Sequence, residues 1–316
     1  MMTTVQVILS SYNGEKYIRE QLDSILKQEG VEIQLLIRDD GSTDGTRNIL
    51  EEYKQQWDNI SVIYGTNVGV IQSFFLLLEQ VGNYSYVAFA DQDDVWLKQK
   101  LKRAIERMEK KEKQEELYYI IDTTEEYKEP MVYCSAKQLV DATLNHLPSP
   151  IQYSNVRTEF GNALVENMCT GCTCVINREM LQLLKGKQPK FTIMHDFWIY
   201  LVGTCFGTVI YDEESYILYR QHGANELGTA SSLLENYKRR IKNFKKHRGQ
   251  LTRQAEELFL LYEKELPKEK KKLLQAFIQA KNQVNIRKKL LKETMIFRQR
   301  KSDDYIMKVL LLAGLL

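Results

Sequence analysis

Short apolar runs alternate with amphipathic stretches along the first hundred residues. Val5–Leu9, Ile33–Ile37, Ile60–Tyr64 and Tyr86–Ala90 are brief and mostly apolar, which predicts buried strands. Between them, Glu15–Gln28 carries Ile18, Leu22, Ile25 and Leu26 at helical spacing. A second stretch places Ile49, Leu50 and Tyr53 on one face, and Val70–Val81 reads as a third helix. Strand and helix alternate four times, at about thirty residues per unit or somewhat less. That rhythm predicts an α/β fold: a doubly wound, mostly parallel sheet flanked by helices.

Each strand gives way to a polar loop. These are Ser10-Ser11-Tyr12-Asn13-Gly14, Arg38-Asp39-Asp40-Gly41-Ser42-Thr43-Asp44-Gly45, Gly65-Thr66-Asn67-Val68-Gly69 and Asp91-Gln92-Asp93-Asp94. In an open sheet they share the carboxyl edge, where ligands bind. The last loop sets three carboxylates in four residues directly behind a buried strand. Like charges so close raise one another's pKa unless a cation neutralises them. A hard divalent ion, Mg²⁺ or Mn²⁺, takes carboxylates together with ligand phosphates. The loop therefore predicts a metal-bridged phosphate ligand. It also reads as the acidic start of a helix Val95–Met108 with Asp94 as its cap, and the two readings can coexist. No G-x-G-x-x-G follows the first strand and no phosphate-binding G-x-x-x-x-G-K-[ST] occurs, which argues against a dinucleotide cofactor and a P-loop NTPase.

Beyond Glu109 the chain turns highly charged, and Tyr118–Glu129 reads as an exposed insertion. Met131–Leu139 and Asn167–Ile176 read as strands, Asn145–Ile151 as a loop and Asn177–Leu184 as a short helix. Trp198, Leu201 and Val202 predict a helix starting at His195, and Thr208–Leu218 a further strand. From Ser231 onward helices are expected over 231–248, 250–264, 268–298 and 303–315. The net charge of +2 conceals a basic stretch: Tyr237–Lys301 carries 21 Lys and Arg against 6 Asp and Glu. Such a stretch seeks an anionic surface. Val309–Leu316 is apolar but too short to span a bilayer; it can insert shallowly or pack on the protein. The start of the chain lacks a signal-peptide pattern, and a cytoplasmic protein is expected. The five cysteines are an odd number, and no fourth partner completes a zinc spacing around Cys169, Cys172 and Cys174, so all are expected to be reduced and structural.

In their order and spacing, Ser10-Ser11-Tyr12-Asn13, Asp39-Asp40-Gly41-Ser42-Thr43-Asp44 and Asp91-Gln92-Asp93-Asp94-Val95-Trp96 resemble family 2 glycosyltransferases of the GT-A fold. With Tyr219-Arg220-Gln221-His222-Gly223, the acidic block looks most like bacterial rhamnosyltransferases that build surface polysaccharides. The resemblance covers about residues 4 to 225. It implies a catalytic domain over 1–228, with a nucleotide-binding half 1–110 and an acceptor half 111–228, before a basic helical region 229–316. It implies an inverting, metal-dependent transfer of a sugar, L-rhamnose first, from a dTDP- or UDP-linked donor to a polysaccharide, lipid-linked in such enzymes.

The resemblance assigns Tyr12 and Asp40 to the base pocket, with Ser10 lending backbone contacts and Asp39 as a neighbour. A ring to stack on and a carboxylate to accept a pyrimidine N–H suit that task, although Asp39 and Asp40 can also simply cap a turn. It places Asp91 near the ribose and Asp93 on the metal. It puts the base at Asp196, with His195 as understudy. A carboxylate at a helix start is expected to have a depressed pKa, and an N-cap over an aromatic patch is the plainer reading. Arg220 and His222 stand as candidates for the diphosphate and the metal, or as a plain surface loop. The basic region is expected to meet the inner face of the membrane rather than nucleic acid, since its few aromatics fall at core spacing. A sugar nucleotidyltransferase is the competing enzyme, but it needs a Gly-rich basic loop after the first strand, which Ser10–Gly14 lacks.

Overall fold

A computed structural model of the chain describes residues 2–119, 128–149, 153–221 and 249–316. Its strands are β1 (Thr3–Ser11), β2 (Val31–Asp39), β3 (Ile60–Tyr64), β4 (Tyr86–Ala90), β5 (Val95–Trp96), β6 (Met131–Val140), β7 (Val175–Asn177) and β8 (Thr208–Arg220). They form one sheet in the order β3-β2-β1-β4-β7-β6-β8-β5. β1 pairs in parallel with β2 and β4, and β2 with β3. β7 is antiparallel to both β4 and β6, which points β6 the same way as β4, and β8 runs parallel to β6. The carboxyl ends of β1, β2, β3, β4, β6 and β8 therefore share one edge. The strand order reverses beside β1, as ligand-binding α/β sheets do.

The pleat sorts the core into two layers. Val5, Val7, Leu9 and Ala88 face α1 (Ile18–Leu26), α2 (Thr46–Gln56) and α4 (Lys100–Tyr119). Ile8, Val87 and Phe89 face α3 (Val70–Gln80), and their layer continues through α5 (Phe160–Ala163), α6 (Arg178–Leu184) and α7 (His195–Phe206). Phe74 and Phe89 are fully buried here, worth ~1.5–3 kcal/mol each. Four more helices, Gln250–Tyr262, Lys268–Ala280, Val284–Lys292 and Lys301–Ala313, add Leu258, Phe277, Leu290 and Leu311 to the same layer. Gln254 accepts from the Thr192 hydroxyl and the Ile193 N–H at 2.8 and 2.9 Å. The segment leading into α7 is thus held by a C-terminal helix.

Several expected elements differ. Val95–Trp96 pairs antiparallel with β8, so the helix begins at Lys100 and Asp94 caps nothing. Of Asn167–Ile176, only its end joins β7, because Gly171–Thr173 coil into a 3₁₀ turn closed by Thr173 N–H to Thr170 O at 2.8 Å. The helix expected over 268–298 is broken at Lys281–Gln283, where the Arg287 guanidinium donates to the Ala280 and Lys281 carbonyls at 2.6 and 2.7 Å. The charged stretch after Glu109 continues α4 to Tyr119. The helix expected at 231–248 and most of the insertion lie outside the described residues. Among the described residues no helix is long and apolar enough to cross a membrane.

Candidate active site

The loops after β1 and β2 are fastened together. Asp40 N–H donates to Ser11 O at 2.7 Å, and Asn13 N–H to Ser42 Oγ at 3.0 Å. Gly41 turns the second loop at φ 85°, and a side chain there would come within 2.8 Å of the Asn67 backbone. Asp40 is buried, and both its oxygens are engaged: Arg38 and Val68 N–H bind Oδ1, and Gly69 N–H binds Oδ2 at 2.8 Å. Asp39 Oδ2 accepts from Gly41, Ser42 and, at 2.7 Å, Arg47 Nε. Its Oδ1 is buried with no partner. A buried acceptor left alone is costly and needs a donor. Asp40, expected in the base pocket, spends both oxygens on the loops, and Asp39, expected as its neighbour, keeps Oδ1 without a protein donor. Ser10 Oγ donates to Ser73 Oγ at 2.7 Å.

The Tyr12 ring is 46% exposed. Its backbone is gripped by Gln92, whose carboxamide accepts the Tyr12 N–H at 2.9 Å and donates to the Tyr12 carbonyl at 3.0 Å. Gln92 thus couples the first loop to the acidic one. Ligand atoms of Asp91 and Asp94 in that loop and of Cys172 in the Gly171–Thr173 turn lie within 4.8 Å of one another. Burial first, then Asp93 and Asp196, push the Asp91 carboxyl up to about 7. Burial, Asp91 and Asp93 hold Asp94 well above the usual range. Asp94 Oδ2 is buried, and the group beside it is the Cys172 thiol, whose contact eases its ionisation. Two crowded carboxylates fit a hard divalent cation, Mg²⁺ or Mn²⁺, while burial holds the Cys172 thiol well above its ordinary value and makes it a poor ligand. Asp93, assigned to the metal on the sequence, is a charged neighbour of this group and not one of the three.

Arg220 ends β8 and is buried. Its N–H donates to Asp94 Oδ1 at 3.0 Å, its Nε to Asp93 O at 2.7 Å and its Nη1 to Ala142 O at 2.6 Å, while Nη2 pairs with Glu20. The guanidinium, a candidate for the diphosphate on the sequence, makes its contacts here with the protein. It is a strut that fixes the acidic loop. His222 lies outside the described residues.

Asp196 stands in the first turn of α7, its carboxylate received by the Gly171 N–H at 2.8 Å and Asn167 Nδ2 at 3.0 Å. A Cβ on Gly171 would meet His195 Nε2 at 2.8 Å and Asp196 Oδ2 at 3.4 Å, so only glycine admits this approach. The expected depression of its pKa is overturned. Burial, aided by the Cys169 sulfur, raises Asp196 to about 7 against the pull of the backbone N–H groups and Lys137. His195 stacks on Phe74 with ring centroids 4.1 Å apart, and both ring nitrogens are buried without partners. Burial lowers it to about 3, so it is neutral at physiological pH. The charge of Asp196 reaches Asp91 and helps to raise it, which sets Asp196 near the acidic loop.

A family model described as glycosyl transferase family 2 matches residues 6–184. The chain belongs to this family. This glycosyltransferase is 32% identical to the dTDP-rhamnosyl transferase RfbG of Shigella flexneri over 73% of its own length and 77% of the relative's. It is 41% identical to the putative teichuronic acid biosynthesis glycosyltransferase TuaG of Bacillus subtilis (strain 168), over 33% of this chain and 41% of that one. Among solved structures, S. aureus TarS 1–349 in complex with UDP-GlcNAc superposes with a TM-score of 0.59 at 19% identity, covering 88% of this chain and 72% of that one. The mannosyltransferase PcManGT from Pyrobaculum calidifontis, in complex with GDP-Man and Mn²⁺, gives 0.52 at 16%, covering 88% and 70%. The sheet is that of the GT-A glycosyltransferases, as expected.

The glycosyltransferase brings Tyr12, Asp39, Asp91, Asp93 and Asp196 to one sheet edge. Three more residues shape the site without a signal in the sequence. Gln92 clamps Tyr12. Lys100 buries its ammonium 3.7 Å over the Trp96 ring, behind Asp94 and Cys172, and burial lowers it to about 8. Lys137, on β6, donates to Thr170 Oγ1 at 3.1 Å. The five cysteines are free and buried.

Proposed function

We propose that this glycosyltransferase is an inverting enzyme that moves a sugar, L-rhamnose first among candidates, from a pyrimidine-nucleotide diphosphate donor to a glycan hydroxyl. The observation that carries this reading is Asp196, fixed by Gly171 and Asn167, raised to about 7 and facing the Asp91 loop. A base poised near the working pH both holds and releases a proton effectively. Tyr12 offers its ring to the base, Asp39 Oδ1 accepts an N–H from the base edge, and Asp91 lies toward the ribose. Asp196 takes the acceptor proton as the hydroxyl oxygen bonds to the anomeric carbon from the face opposite the leaving diphosphate. His195 is the weaker candidate, because burial lowers its basicity to about 3 and its ring is stacked on Phe74.

Asp91 and Asp94, with Asp93 and Cys172 beside them, are the residues that would hold a divalent metal. When bound it would supply a Lewis acid for the departing diphosphate. The Mn²⁺ of the archaeal mannosyltransferase and the dTDP-rhamnosyl activity named for RfbG support the metal and the donor.

The acceptor reading is a lipid-linked glycan at the inner membrane face, served by a catalytic domain 1–228 and the basic region 229–316. The helix Lys301–Ala313 favours it. It turns Tyr305, Ile306, Val309 and Leu312 outward, 71, 42, 48 and 46% exposed, over about a third of its circumference. Along one flank lies a cavity of 480 Å³ lined by Arg157, Arg298, Arg300, Lys308 and Asp304, its cations paired with Glu159, Glu166, Asp303 and Asp304. An apolar face edged by cations matches an anionic bilayer surface.

Isothermal titration with dTDP, UDP, GDP and ADP, each with and without Mn²⁺, tests the donor reading. Metal-dependent binding of dTDP, with UDP weaker, is expected. Binding of none of the four overturns it.

A further inference from the structure

Lys137 occupies the place where the two halves of the site meet. It lies near the carboxyl end of β6, on the same edge as the acidic loop. The β6–β8 ladder slips twice around it, between Ser135 and Ala136 and again between Ala136 and Gln138. Such irregularities re-aim side chains and gather at active sites. The side chain is half-buried. Its ammonium is held by Thr170 Oγ1 at 3.1 Å and rests over the Tyr219 ring at 4.2 Å. Thr170 precedes Gly171, whose N–H holds Asp196. The turn that positions the base therefore also positions this cation.

The charge of Lys137 is left for something else. Among the described residues no carboxylate stands at ion-pair distance from it, and its hydrogen-bond partner is a neutral hydroxyl. Yet its field reaches Asp91, Asp196 and Cys172, easing the ionisation of all three. An ammonium that senses the acidic loop on one side and the base on the other, and is paired with neither, faces the gap between them.

We propose that Lys137 is a catalytic residue that binds the departing diphosphate of the donor from the acceptor side of the cleft; this rests on the donor reading above. As the acceptor oxygen bonds to the anomeric carbon, the bond from that carbon to the diphosphate oxygen breaks. Its electron pair stays on the phosphate, and the acceptor proton passes to Asp196. Negative charge grows on the diphosphate beside the acidic loop. A fixed ammonium stabilises that charge without transferring a proton and without moving. A lysine emerging from a strand is a point charge suited to phosphate oxygens.

The test separates the phosphate from the nucleoside. Wild type, Lys137→Met and Lys137→Arg are titrated with dTDP, thymidine, UDP and uridine at saturating Mn²⁺. Lys137→Met is expected to lose about 10- to 100-fold in diphosphate affinity, the scale of one charge-assisted contact. It should keep nucleoside affinity within about twofold, and Lys137→Arg should recover most of the loss. Unchanged diphosphate affinity in Lys137→Met overturns the assignment, and so does an equal loss for nucleoside and diphosphate, which would mark a purely structural lysine. If the wild type binds nucleosides but no diphosphate, Lys137 loses its role while the base pocket stands. If it binds neither, the donor reading itself has failed.

Discussion

The backbone N–H of Arg220 donates to Asp94 Oδ1 across 3.0 Å, tying the end of β8 to the acidic loop 126 residues earlier. The side chain completes the tie through Asp93 O and Ala142 O. Removing the guanidinium leaves these carbonyls without a donor, at ~1–3 kcal/mol each. Arg220→Ala and Arg220→Lys should therefore both lower unfolding free energy in urea, by about 2–5 kcal/mol for alanine. Lysine cannot span several directions at once and should rescue little. A lysine variant of wild-type stability with tenfold weaker diphosphate binding would restore the direct role that the sequence suggests.

Asp196→Asn should keep donor affinity and lose about 10²- to 10⁴-fold in transfer rate, the usual worth of a positioned base. The wild-type rate should fall as pH drops through about 7. The working form is the carboxylate, and burial has moved its protonation up from the ordinary carboxylate range. An acidic limb near 4, or wild-type turnover in Asp196→Asn, would remove Asp196 from the role.

The fold and the family were legible along the chain, for a physical reason. Buried strands must be apolar, and the loops that follow them must be polar, so Tyr12, Asp39, Asp91 and Asp196 stand out from their surroundings. What contacts each carboxylate is set by partners far away in sequence. Nothing local tells that Asp40 is spent on Arg38 and the Val68–Gly69 backbone while Asp39 keeps an oxygen. The sequence also makes Asp94 a helix cap, because the pairing of Val95–Trp96 with β8 depends on a strand more than a hundred residues on. Lys137 carries no signal, since a single lysine in a strand is ordinary until the register break and the contact with Thr170 are seen. The same blindness gave Asp196 a lowered pKa: the helix start is visible in sequence, the burial that outweighs it is not.

The metal group makes a prediction that separates three neighbouring carboxylates. With dTDP as ligand, chelation by EDTA should weaken wild-type binding, and Mn²⁺ should restore it. Asp91→Asn and Asp94→Asn should abolish that response, because both carboxylates share the cluster. Asp93→Asn should blunt it less, through the lost field alone. Retention of the full Mn²⁺ response in Asp94→Asn, with its loss in Asp93→Asn, would return the metal to Asp93.

The outward face of the helix Lys301–Ala313 should bind vesicles in two separable ways. Sedimentation with phosphatidylglycerol vesicles should exceed that with phosphatidylcholine, and salt should weaken it, at about 1 kcal/mol per engaged Lys or Arg. Replacing Ile306, Val309 and Leu312 by serine should remove the salt-resistant part, while Arg300→Gln with Lys308→Gln removes the salt-sensitive part. Equal binding to both vesicles, or a dimer in light scattering that the serine variant dissolves, would give this face to another copy of the chain.

His195 offers a test of burial that does not depend on catalysis. Its folded pKa is lowered to about 3 by burial, whereas an exposed histidine titrates near 6.5. Below that value the unfolded chain takes a proton that the folded protein refuses, so stability present above pH 6.5 is lost as pH falls toward 3. At pH 5 the loss amounts to about 2 kcal/mol. The raised carboxyls of Asp91, Asp94 and Asp196 act the other way, binding protons in the folded state, but they are common to wild type and to His195→Leu and cancel in the difference between them. Leucine keeps an apolar contact with Phe74 and removes two buried nitrogens that have no partners. In urea unfolding at pH 8 and pH 5, the stability of His195→Leu relative to wild type should therefore rise by about 2 kcal/mol at the lower pH. A difference that stays constant would mean that the imidazole is protonated inside the folded protein, within reach of Asp196 and of the proton that the base handles.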